Sequence, residues 1–303
     1  MKMNLPQLLL ALFILAVFTF TGCKKETSAV NAQEDETFAI VSSESEEESE
    51  TVFDDVFNNV MGVNAEVAYG ETGVFGRINQ YRDHTPSRVA DTDSSVNPCF
   101  TVHINSVNPN ELFPAKVVID FGTGCTGRDG RTRKGKLIIV YTGRLTVSGK
   151  VAEIVFDGFY INDIQVEGAM RIQNISTSQS LIFTKTVKDG KLTKPNGNFS
   201  QWNSATIISQ IEGSGTPYYA KDDIFSIRSE SSGAVKNAGL FFTWQSKTIE
   251  PLIKKYSCFW IVKGKVVIQR INTDVAIIDY GNGICDNKAT VTINGSIREI
   301  TLR

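Results

Sequence analysis

Histidine is almost missing from this chain. Its 303 residues include two, His84 and His103, and neither stands in metal-ligand spacing. That scarcity argues against a histidine-based metal centre and leaves a serine or cysteine triad with few bases. There is no excess of charge of one sign either: 31 basic against 33 acidic residues give a net charge of −2, without the electrostatic footprint of a nucleic-acid binder. No Gly-x-Ser-x-Gly elbow occurs. After residue 62 no stretch sustains a 3.6-residue apolar period with helix caps, so the body is not helical. At 41% hydrophobic residues the chain can nevertheless bury a core in one large or two smaller domains. No cofactor and no metal is expected.

The most informative stretch is Leu8 to Cys23. Lys2 provides a positive start, Leu8–Phe20 an apolar run, and Phe20-Thr21-Gly22-Cys23 a small-residue cleavage site before a thiol. About 13 apolar residues fall short of the roughly 20 that span a bilayer core. The pattern resembles the bacterial lipoprotein signal. That resemblance implies removal of residues 1–22, acyl chains on Cys23, and stable membrane anchoring by more than one chain.

Charge is segregated along the sequence. Glu26 to Asp55 holds eleven acidic residues and no basic one, and beyond it 22 acidic residues face 28 basic ones. Residues 23–50 are therefore expected to be a solvated acidic tether. The Cys23-Lys24-Lys25-Glu26 start is similar to the surface-export signal of Bacteroidota-type lipoproteins, which leaves periplasmic and cell-surface orientations open.

Thr51 precedes Val52, Phe53, Val56, Phe57, Val60 and Met61, one apolar face of a short helix over 51–62, capped by Thr51 and ended near Gly62. Residues 63–95, with Gly70, Gly73, Gly76 and Pro86, predict an irregular lead-in. From residue 96 the pattern changes to period two. Ile164, Val166, Met170 and Ile172 alternate with polar residues, as do Val291, Ile293 and Ile297. Asp189-Gly190, Asn196-Gly197 and Lys263-Gly264 read as hairpin turns. The fold class is mainly β: a large antiparallel β-meander over 96–303, as a curved sheet, half-barrel or sandwich, with two pseudo-repeats and one short N-terminal helix in a single domain 51–303.

The repeat units are 99–125 and 258–285. Cys99-Phe100-Thr101-Val102 followed by Val117 to Cys125 is matched by Cys258-Phe259-Trp260-Ile261-Val262 followed by Ala276 to Cys285. Four thiols allow three pairings. A strand, a return strand and a glycine turn bring the ends of each unit together, which predicts Cys99–Cys125 and Cys258–Cys285. A weaker echo relates Phe199-Ser200-Gln201-Trp202-Asn203-Ser204-Ala205-Thr206-Ile207 to Phe241-Phe242-Thr243-Trp244-Gln245-Ser246-Lys247-Thr248-Ile249, as equivalent meander strands.

Two apolar-Asp-aromatic-Gly motifs bring aspartic proteases to mind, where two lobes each lend a carboxylate. Phe121 and Tyr280 stand where that pattern needs Thr or Ser, and bulky rings there would part the carboxylates. Asp120 and Asp279 are expected instead to accept turn N–H groups while Gly122, Gly124, Gly281 and Gly283 take positive φ. Asp129 and Asp286 do not complete an alternating calcium loop. The basic run Arg128 to Lys136 reads as a solvated hairpin loop rather than an anion patch, and Trp202, Trp244, Trp260, Tyr218 and Tyr219 as core or cross-strand partners rather than sugar platforms.

The stretches IDFGTGCTGRDGRTRKG, FYINDIQVEGAMRIQN, CFWIVKGKV and IDYGNGICDNKATVTING together resemble a group of uncharacterised Bacteroidota-type β-rich envelope lipoproteins, over about residues 96–303. The resemblance implies a β-rich lipoprotein body and no activity. The expectation is a non-enzymatic envelope lipoprotein on the outer membrane, anchored through Cys23, whose sheet is an interaction or structural module. A carrier or binder of a lipid or glycan on the sheet face is the alternative, a hydrolase a remote one; a glycan, lipid or protein partner stays open and nucleic acid is excluded.

Overall fold

The computed structural model describes residues 25–61 and 99–302 apart from 107, 109, 112, 128–129, 215–221 and 271–274, and of 25–32 it describes the backbone alone. The signal-like segment with Cys23, the lead-in 63–95, and His84, Arg128, Asp129, Tyr218 and Tyr219 lie outside the described residues.

Among the described residues one helix precedes one sheet. Helix α1 covers Lys25–Met61. The strands are β1 (Thr101–Ser106), β2 (Ala115–Asp120), β3 (Cys125–Thr126), β4 (Thr132–Tyr141), β5 (Val151–Ile161), β6 (Ile164–Asn174), β7 (Ile182–Thr193), β8 (Phe199–Glu212), β9 (Ile224–Asn237), β10 (Leu240–Lys255), β11 (Ile261–Gln269), β12 (Ala276–Asn282), β13 (Lys288–Ile293) and β14 (Ser296–Thr301). They form a single open antiparallel sheet in sequence order, with only the short β3 off the path, paired to β4. The expected meander is present as one continuous sheet and not as two stacked ones.

Period-two patterning sets the faces. On β8, Ser200, Trp202, Ser204, Thr206 and Ile208 are buried while Gln201, Asn203, Ala205 and Ile207 are exposed; β10 repeats this with Phe242, Trp244, Ser246 and Thr248. A row of bulges curls the sheet. Register shifts fall at Lys134/Lys136, Val155/Tyr160, Glu167/Ala169 and Val187/Gly190 on four successive strand pairs, and each bulge bends and twists its strand. Gly135, with φ of 78°, shows why glycine is needed: a Cβ there would lie 1.9 Å from the Gly158 carbonyl oxygen.

The curled sheet wraps α1. From Phe38 to Met61 nearly every helix position is buried or half-buried, against β7 to β11 and β13. Phe53 stacks on Trp202 at 5.5 Å between centroids and meets Phe156 edge-on, Phe38 meets Phe242, and Phe57 meets Phe183. This corrects two expectations. Residues 25–50 are helix and not a disordered tether, and the helix is 37 residues long and not confined to 51–62. Thr51 is no cap; it lies mid-helix and donates to Glu47 at 2.9 Å. The physical reason is that the acidic residues find donors on the sheet, so their polarity does not keep the segment in water.

Candidate functional site

The inner face of β7–β10 carries polar and cationic groups at positions that in most sheets hold only apolar ones. Their ladder registers align Ser204 with Ser231 and Ser231 with Ser246, and Trp202 with Gly233 and Gly233 with Trp244. Gly233 makes room between the two indoles, since a Cβ there would come within 2.2 Å of the Trp244 ring. Into this row α1 inserts Glu46, 6% exposed. Its Oε2 accepts from the indole N–H of Trp202 and of Trp244, both at 2.9 Å, and its Oε1 from Ser246 at 2.8 Å. Ser231 Oγ lies 2.8 and 2.7 Å from the two carboxylate oxygens. Four donors converge on one buried carboxylate.

Two ion clusters continue the pattern along the helix. Lys185 on β7, its side chain fully buried, donates to Glu50 at 2.8 Å and to Asp54. Burial pushes the Glu50 carboxyl up to about 7, helped by Asp54 and Glu46 and opposed by Lys185. Burial alone would push the Lys185 ammonium down, but Asp54 and Glu50 outweigh it and hold it above the ordinary lysine value. Towards the helix C-terminus, Arg133 grips Asp55 as a fork, with Nε on Oδ2 at 2.9 Å and a second, shorter contact on Oδ1; Arg131 adds a contact at 3.1 Å. Lys194 pairs with Glu48 at 2.9 Å, and Tyr141 donates to the Val60 carbonyl at 2.8 Å. Burial holds the Tyr141 hydroxyl above its ordinary range, and Tyr280 is held up by burial together with Glu47, Glu46 and Glu50.

Satisfaction is incomplete. The hydroxyls of Ser42, Ser43 and Ser49 on α1, and of Ser204 on β8, are buried with no hydrogen-bond partner among the described residues.

The sequence-derived positions fall out as follows. Cys99 pairs with Cys125 and Cys258 with Cys285, closing the two units as expected. Asp120 accepts from the Gly122 N–H at 2.8 Å and Asp279 from the Gly281 N–H at 2.9 Å. Gly122, Gly281 and Gly283 have positive φ; Gly124 does not, because it already feeds the extended β3. Asp120 and Asp279 are each also beside a lysine of their own, Lys136 and Lys265. The basic run is not simply a solvated loop: Arg133 is 1% exposed and holds the helix. His103 is exposed on β1. Trp202 and Trp244 face the core as expected, and their indole N–H groups carry the site that the sequence reading missed. The echo between β8 and β10 was its signal, since Trp-x-Ser-x-Thr in both copies is the inward-facing row.

On the outer face, a shallow trough of about 630 Å³ runs across β7–β11, with Lys188, Asn203, Ser232, Gln245, Lys247 and Gln269 along it. Among the described residues no helix is long and apolar enough to cross a membrane. Compared with known protein families, curated proteins and solved structures, the chain matches none.

Proposed function

We propose that this protein is a non-enzymatic lipoprotein of the cell envelope, anchored to the outer membrane through acylated Cys23, whose body is an interaction module. The observation that carries the reading is the seating of α1 in the sheet. Phe38, Phe53, Val56 and Val60 occupy the apolar inner surface that a lipid carrier would need to keep vacant. The helix also begins two residues after Cys23, so the anchor leads into a rigid rod and not a slack leash. Residues 25–37 precede Phe38, the first fully buried position among the described side chains, and span about 20 Å at 1.5 Å per residue, which would hold the body close to the bilayer.

A second reading, a glycan binder, is favoured by the outer trough. Asn203, Ser232, Gln245 and Gln269 are consecutive register partners across β8–β11, a row of amides and a hydroxyl able to donate to and accept from sugar hydroxyls. Metabolic labelling with palmitate tests the anchor. Label on the parent chain, none on Cys23→Ala, and recovery with outer membranes support the reading; an unlabelled product that still starts at Met1 overturns it.

A further inference from the structure

We propose that the inner face of the sheet is a receptor groove for a glutamate-rich helical segment of another polypeptide, and that α1 is its resident, exchangeable occupant. This rests on the interaction-module reading and names its site and partner class. Charge complementarity supports it first. The groove meets acidic side chains with two indole N–H groups, the hydroxyls of Ser231 and Ser246, the fully buried Lys185 and the Arg133 fork, so its lining selects carboxylates at helical spacing.

The second support is independent of charge. Ser204, 5% exposed and on the same inward row as Trp202, aims a hydroxyl into the groove with no partner, and Ser42, Ser43 and Ser49 on the resident helix are equally unsatisfied. A seat fitted permanently to one occupant would leave few such groups. Orphaned donors on both sides mark a groove that α1 fills without saturating, so a helix that placed acceptors opposite Ser204 would gain bonds that α1 does not make. Exchange of α1 breaks no ladder hydrogen bond, because the helix contributes no strand to the sheet.

The test uses the full chain and a fluorescein-labelled peptide of residues 33–61 as probe, read by anisotropy. Saturable binding is expected, weakened at least tenfold in a peptide carrying Glu46→Gln and Asp55→Asn. A double variant, Ser45→Cys with Ser200→Cys, replaces two hydroxyls 2.7 Å apart and ties α1 to β8; it should refuse the peptide while each single variant accepts it. No binding to the parent chain, equal binding by the tied variant, or equal binding of the neutralised peptide would each overturn the proposal. If two copies of the chain trade helices while the added peptide fails, the occupant is another copy and the proposal fails as stated. A chain that refuses the peptide yet takes a partner on its outer face would remain an interaction module without this groove.

Discussion

The strand ladder and the helix seat hold this molecule together by opposite means. Along the ladder, nearly every strand pairs with its neighbour in sequence, and from β4 to β8 the departures from regular register coincide with glycines. In the seat, the partners are 131 to 200 positions apart in sequence for Lys185–Asp54 and Ser246–Glu46, and charge is buried there beside the apolar side chains. A ladder is stabilised locally and tolerates side-chain change on its wet face. A seat of buried ion pairs works only while both halves of each pair are present, because the lone survivor is a desolvated charge. The two regions should therefore fail in different ways.

Gly135→Ala attacks the ladder at its tightest point. The left-handed backbone and the 1.9 Å approach to the Gly158 carbonyl leave no space, so β4 and β5 must part. A loss above about 4 kcal/mol is expected, seen as a chain that does not reach the folded state by circular dichroism. Asp55→Ala attacks the seat. It takes the Asp55 carboxylate away from Arg133, 1% exposed, and from Arg131, 12% exposed, and should cost roughly 3–5 kcal/mol in urea unfolding. The informative contrast is in what survives. The Gly135 variant should lose β-signal with the rest, whereas the Asp55 variant should keep its strand signal while α1 becomes open to proteolysis.

Glu50→Gln sharpens the same contrast with pH. Its carboxyl is held up at about 7 in the folded chain against 4.5 as the ordinary value, so the folded state retains a proton that the unfolded state has released across that window. Stability from this group is full below the lower value and falls as pH rises through the upper one. The amide cannot ionise, so the variant should gain on the parent from pH 5 to pH 8, most of it below about pH 7. Paired urea midpoints at those two values measure the difference, and a constant offset would show that Glu50 does not titrate in that range.

The ladder was legible and the seat was not. Alternation such as Val166, Met170 and Ile172 marks strands because the signal lies within one segment, and the two cysteine units repeat their own neighbours. The turn geometry of Asp120 with Gly122 and of Asp279 with Gly281 follows from adjacent residues. By contrast, Ser42 to Glu50 looks solvated in isolation, and only the three-dimensional approach of Trp202, Ser231, Trp244 and Lys185 makes its burial affordable. The same holds for Arg133, whose neighbours in sequence are basic and whose carboxylate lies 78 positions away. Patterning reads faces; it does not read which distant charge will meet which face.

The smallest effect belongs where the helix leaves the sheet. There Glu36 pairs with Arg298, and Glu34 and Asp35 with Arg270 at 3.3 and 3.4 Å. The chemistry is the same as at Asp55, carboxylate against guanidinium, but Arg298 is 57% exposed and its carboxylate 30%. Water and salt screen such a pair, and either partner left alone is simply hydrated. Arg298→Ala should accordingly cost less than about 1 kcal/mol in urea unfolding, and that small cost should shrink further on raising salt from 0.1 to 1 M. An Arg298 effect as large as that of Asp55 would mean that burial is not what separates the seat from the rim, and that the whole acidic length of α1 is gripped alike.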